Sequence, residues 1–195
     1  MVNVETDFVE LMRAWLVSLP HDMKIAFDAM DDENLAREDR ELAAAAMLHI
    51  FGKADPIKAR REPVAFFADD AVMLHLALRR IADRGNEDAQ TFTERFPELF
   101  ESLPAGLATC KSHLEKTLYD AVEARVVGLP AAMRAKKVAQ YLDNDEARES
   151  LYEKMLEFRT NYPIDETLIV DKLKRSATVI EALRKTYADD ARAIA

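Results

Sequence analysis

Residues that reverse a chain are scarce here. Only 4 Gly and 7 Pro are spread over 195 residues. Sandwiches and barrels turn often and use these two residues to do it. With so few, loops must be few and short, which favours helices. The apolar pattern agrees. Phe8, Leu11, Met12, Trp15 and Leu16 recur at steps of three and four and mark one helical stripe. No stretch alternates like a strand. Hydrophobic residues make up 49% and charged residues 32%, a globular balance in a chain long enough to bury a core. The fold class is all-α, a multi-helix bundle of about eight or nine helices.

The helices can be placed by their punctuation. Pro20 is expected to open a second helix, with Ser18 as cap, running through Met23, Phe27 and Met30 to the acidic turn "DDEN". Leu35 to Phe51 forms a third, stopped by Gly52. Its Ala43–Ala46 run would let a neighbouring helix approach closely. Phe67, Ala71, Leu74, Leu78 and Ile81 share a stripe that Val72, Met73, Leu76 and Ala77 widen. A helix apolar nearly all round belongs at the centre of its bundle. Further helices are expected over 87–101 (interrupted or bent at Pro97), 104–127, 130–142, 145–159 and 165–187.

A possible duplication organises the chain. Leu19-Pro20 and Leu129-Pro130 each precede a Met followed by a base, then an acidic turn, a helix, and Pro-Ile at Pro56-Ile57 and Pro163-Ile164. This divides the chain into an N-terminal unit (1–85), a helical connector (86–127) and a C-terminal unit (128–195), the outer two as related three-helix units.

Net charge is -9, so the field of the protein repels nucleic acid and anionic lipid. The single Cys110 excludes an intramolecular disulfide and any Cys-based zinc site. The acidic start lacks the pattern of a secretory signal, and no apolar run suits a membrane span. The expected location is cytoplasmic.

The most unusual stretch is "DPIKARREPVAFFADDAVML", Asp55 to Leu74, where two acids interrupt an apolar helix. Around it stand Leu19-Pro20 with Asp22, Ala43–Ala46, Pro56-Ile57, Pro63, Phe66-Phe67, Asp69-Asp70 and the apolar helix to Ile81. In these residues Ser18 to Arg84 resembles the YkvA-like helical domain, a bacterial family of unknown function. The resemblance implies a helical fold and no particular activity. The chain departs from the family in the basic "KARRE" turn, which is shorter, and in Lys58, where the family has Asp.

Two readings of Asp69 and Asp70 follow from the residues. If the helix begins near Asp69, both are N-terminal caps. If it begins at Pro63 they lie inside it and need partners, for which Arg60, Arg61, Arg79 and Arg80 are near in sequence. Both versions make them a structural acid pair. The other reading makes them metal ligands with His49, Asp55 or His75. The Glu-x-x-His signature of di-iron bundles is absent. The structural reading is therefore taken, with no metal, no cofactor and no catalytic residues expected. His21-Asp22 is read as a helix start, and Cys110 with His113 as an isolated pair without a third group. Lys58, Arg60 and Arg61 are expected to be exposed, as a docking edge for an acidic partner.

No phosphate loop, nucleophile elbow or Walker motif occurs. The expected function is thus a non-enzymatic protein-interaction module with an unidentified protein partner and room for homo-oligomerisation. The alternative is a metal- or small-ligand-binding bundle at Asp69-Asp70. An acidic DNA-associated regulator is a third reading, resting only on the short basic run Arg134–Lys137.

Overall fold

The longest helix carries a proline in its middle. In the computed structural model, which describes residues 4–52, 56–133 and 135–194, α1 (Val4–Asp31) runs unbroken for 28 residues through Pro20. Proline has no N–H, so the carbonyl of Leu16, four residues back, loses its helical partner. The Tyr162 hydroxyl supplies a replacement, donating to the Leu16 carbonyl at 2.6 Å. A helix kinked or broken at Pro20 would waste the stripe of Phe8, Met12, Leu16, Leu19, Met23 and Met30, all fully buried. Burial of that continuous face outweighs one missing backbone bond. Pro20 therefore does not open a helix.

The remaining helices are α2 (Arg37–Phe51), α3 (Pro56–Arg61), α4 (Pro63–Ala82), α5 (Glu87–Glu94), α6 (Pro97–His113), α7 (Lys116–Ala132), α8 (Ala135–Asp143), α9 (Asp145–Asn161), α10 (Glu166–Lys172) and α11 (Ala177–Ile194). Among the described residues there are thus eleven helices and no strand. The all-α class holds, and the helix number exceeds the expected eight or nine. Two of the extra breaks fall at leucines that no Gly or Pro announces. Leu114 is extended and ends α6, and Leu173 ends α10. Both are buried. The Leu173 carbonyl is held from another part of the chain, by Arg13 through Nε at 3.0 Å and Nη2 at 2.7 Å. Such long-range fixing leaves no local signal. Pro130 likewise sits near the end of α7 and does not start a helix.

Several starts follow capping chemistry. Asn86, Asn144 and Asp165 each accept from the backbone N–H three residues on. Gly85, at φ 64, makes the left-handed turn into α5.

α1, α2 and α4 pack against one another, and α7 and α11 cover α4 from a further side. α4 is buried almost throughout, from Pro63 to Ile81. α2 packs against α1, α4 and α7, and its alanines 43–46 are buried, none more than 2% exposed. One hydrophobic cluster extends from Phe8 to Tyr187 and takes in Phe92, Leu103, Leu118, Val122 and Val126. Residues 86–127 therefore contribute to the same core as the segments before and after them. No helix among the described residues is long and apolar enough to cross a membrane.

The Pro20 arrangement can be measured by a double-mutant cycle. Tyr162→Phe leaves the Leu16 carbonyl unmet and should cost about 1–3 kcal/mol in denaturant unfolding. In a Pro20→Ala background, residue 20 regains an N–H for that carbonyl, so the same change should cost less by about 1 kcal/mol. Strict additivity would show that the hydroxyl does not replace the missing helical bond.

Candidate functional site

Five ionisable side chains lie in or beside the apolar core where α1, α2 and α4 meet: Asp22, His49, Asp69, Asp70 and His75. Asp22 and Asp69 are 2% exposed, Asp70 and His75 0%. Burying a carboxylate costs several kcal/mol unless charge or hydrogen bonds compensate, so such a layer calls for a chemical reason.

α4 begins at Pro63, so Asp69 and Asp70 lie in its second turn, beyond the reach of first-turn capping. Their neighbour across the interface is His49 of α2. Its Nε2 is 3.8 Å from Asp69 Oδ2 and 3.8 Å from Asp70 Oδ1. One donor atom from each residue falls within 4.8 Å of the other two. Ala45 and Ala46 sit one turn before His49 on the same side of α2, which keeps that face slim and lets α4 come close. His49 Nε2 itself is buried and makes no hydrogen bond.

His75 faces the other way. Its Nδ1 lies 2.7 Å from the Ala71 carbonyl, and its Nε2 is 3.4 Å from Asp22 Oδ2 on α1. Ser18 donates its hydroxyl to the same Asp22 oxygen at 2.5 Å. The Trp15 indole stacks on the His75 ring, with centroids 4.0 Å apart and planes 10° from parallel. Tyr162 lies between the two groups of acids. Burial first, then the charges of Asp70 and Asp22, push its phenol well above the ordinary tyrosine value. It therefore stays a hydrogen-bond donor to Leu16. Phe67 and Phe158 pack on it, with centroids 5.0 and 5.1 Å away.

Of the residues singled out in the sequence, the structure joins His49 to Asp69 and Asp70. It turns His75 toward Asp22 instead. Asp55 and the side chain of Lys58 lie outside the described residues. Arg60 and Arg61 are exposed, and Arg79 is paired with Asp83 at 2.6 Å. The "KARR" elbow forms the short helix α3. Asp22 does not cap a helix; it stands inside α1 on the buried stripe of Trp15, Leu19 and Ala26. That spacing of four, three and four was visible in the sequence and was obscured by taking Pro20 as a start. Tyr162 and Trp15 carried no comparable signal.

No protein-family model, curated protein or solved structure matches this chain.

Cys110 and His113 do not form a reactive pair. Burial pushes the Cys110 thiol up to about 12, and the His113 ring stacks on Phe8 with centroids 4.3 Å apart. The thiolate is the reactive form, so a thiol raised this far is inert near neutrality. Native protein at pH 8 should therefore leave Ellman's reagent unreacted over a period in which guanidinium-unfolded protein reacts fully. Prompt stoichiometric reaction of native protein would place Cys110 at an accessible surface.

Proposed function

We propose that this chain is a divalent-metal-binding helical bundle, with His49, Asp69 and Asp70 as protein ligands. The observation that carries the reading is the convergence of one imidazole and two carboxylates from two helices. Three atoms with two separations of 3.8 Å and a third of at most 4.8 Å have a common centre about 2.2–2.5 Å from each. Metal–nitrogen and metal–oxygen bonds are roughly 2.0–2.2 Å long, so small side-chain adjustments suffice. A donor set of one nitrogen and two oxygens suits zinc, manganese or iron better than a soft ion. Three ligands leave coordination positions for water or a small molecule, as in open rather than purely structural sites. Such an ion would act as a Lewis acid there. Two of the three ligands, Asp69 and Asp70, are also among the residues in which the chain resembles the YkvA-like domain; His49 is not.

Metal analysis and melting test this directly. Protein dialysed against trace zinc, manganese and iron should retain about one equivalent of one of them. A ligand at a hundred times its Kd adds about 2.7 kcal/mol, and a domain of this size gains roughly 2–4 °C per kcal/mol. A chelator should therefore lower Tm by roughly 5–10 °C. His49→Ala, at a partly exposed position, and Asp70→Asn should each abolish retention and chelator response. Absence of bound metal together with chelator-insensitive melting would return Asp69 and Asp70 to the role of a structural pair.

The interaction-module reading is favoured by one observation, the exposure of Arg60 and Arg61. Arg60 also lines a cavity of about 490 Å³ together with Lys154, Phe67 and Tyr162. An acidic segment with an aromatic side chain would match that combination. Because both guanidinium groups face solvent, Arg60→Glu with Arg61→Glu should shift stability by no more than about 0.5 kcal/mol. A larger fall in Tm would make these bases part of the folded framework.

A further inference from the structure

A second cavity, of about 920 Å³, opens between α1 and the α5–α6 corner. His49, Asp69 and Asp70 do not line it, so what it binds is independent of the metal reading. Its charged lining is mainly acidic, with Asp7, Glu10, Asp22 and Glu98. The one guanidinium in the lining, that of Arg95, is paired with Asp32 at 2.6 Å and packs over Phe92 and Phe96. Glu10 is matched by Arg13 at 2.6 Å.

The buried end of the cleft has a definite hydrogen-bonding character. The Ala71 carbonyl can only accept, so the His75 Nδ1 beside it donates, and the other ring nitrogen is Nε2. That nitrogen is fully buried and makes no hydrogen bond, and His75 is among the residues that line the cleft. Beside it, at 3.4 Å, is the Asp22 carboxylate. The nearest hydroxyl, on Ser18, is already directed into that carboxylate. The wall thus presents the Asp22 carboxylate beside an imidazole nitrogen that makes no hydrogen bond. An incoming group must bring N–H or O–H bonds, and beside a buried carboxylate a positive charge is favoured over a neutral one.

The rest of the cleft is apolar. Leu11, Trp15, Ile25 and Phe96 line it. Gly106 lets α6 lie against the indole: a Cβ there would stand 2.8 Å from Trp15 Cζ2. The combination has an ammonium-sized polar end and a hydrophobic body.

We propose that this cleft binds a small primary amine with an apolar or aromatic body, its ammonium donating to the Asp22 carboxylate at the buried end. Asp7 and Glu98 add to the negative potential near the mouth, which raises the local concentration of cations.

Trp15 is the only tryptophan in the chain, so its fluorescence reports on this wall alone. 2-Phenylethylamine titrated into the protein should change that fluorescence saturably. 3-Phenylpropanoate, of similar shape and opposite charge, should not. Asp22→Asn should weaken amine binding about tenfold or more, the loss expected for a charged hydrogen bond in a desolvated site. Because Asp22 is buried, Ser102→Leu provides a second test. Ser102 is exposed and lines the cleft, so a leucine there should obstruct the cleft and abolish the response while leaving the helical circular dichroism unchanged. The proposal is overturned by an amine that gives no saturable change, by an equal response to the carboxylate, or by unaltered binding in a folded Ser102→Leu protein.

Discussion

The bond from the Tyr162 hydroxyl to the Leu16 carbonyl ties the end of α9 to α1 at a point where the backbone cannot satisfy itself. Pro20 creates the need and Tyr162, 146 residues away in the chain, meets it. The consequences reach beyond one hydrogen bond. Because α1 continues through the proline, its stripe extends past residue 20, and Asp22 is carried into the interior instead of resting at a helix end. Because Tyr162 must reach Leu16, the end of α9 is drawn over α1 and α4, and Phe158 comes with it onto Phe67. The phenol is then buried, and burial first, with the charges of Asp70 and Asp22 after it, keeps it protonated.

The buried polar layer is placed by the same three helices. α1 contributes Asp22, α2 contributes His49, and α4 contributes Asp69, Asp70 and His75. On α4 the two acids and His75 diverge around the helix, so one side chain set meets α2 and the other meets α1. Two chemically different places result. One brings an imidazole between two carboxylates. The other brings an imidazole, a carboxylate and a hydroxyl against an indole face, open to a cleft. An apolar core of the same volume would be easier to stabilise, since desolvated ions seldom repay their cost in stability alone. That asymmetry is the physical reason for reading both places as binding sites.

Much of the fold could be read from spacing. The all-α class, the central place of α4 and the slim face of α2 follow from apolar periodicity and from the alanine run, which are local properties. Helix ends were harder. Leu173 ends a helix where Arg13 holds its carbonyl from far along the chain, Leu114 ends one at a buried position, and Pro20 fails to break one because Tyr162 serves the orphaned carbonyl. The site was half legible. Asp69, Asp70, His49 and His75 all stood out as chemistry-bearing residues, but spacing along a helix says nothing about which residue of another helix comes opposite. His49 and Asp69 are 20 positions apart, and only the docking of α2 on α4 determines their distance. Asp22 was hidden by an error of punctuation, and Tyr162 by the absence of any sequence trace of the carbonyl it serves.

The alanine run of α2 has an effect that its chemistry would not suggest. Ala43 to Ala46 have no side-chain rotamers, so they lose no side-chain entropy on folding and cannot adjust to absorb a neighbour's shift. The spacing of α2 from its neighbours is therefore set by backbone and Cβ contact, and His49 inherits that spacing. A flexible core would let the imidazole drift while the helices settled around any change. Here an added methyl group far from the ring is felt as displacement of the ring itself. Packing tolerance and site geometry are thus one variable in this region, and the helix works less as a support for His49 than as the gauge that sets its distance.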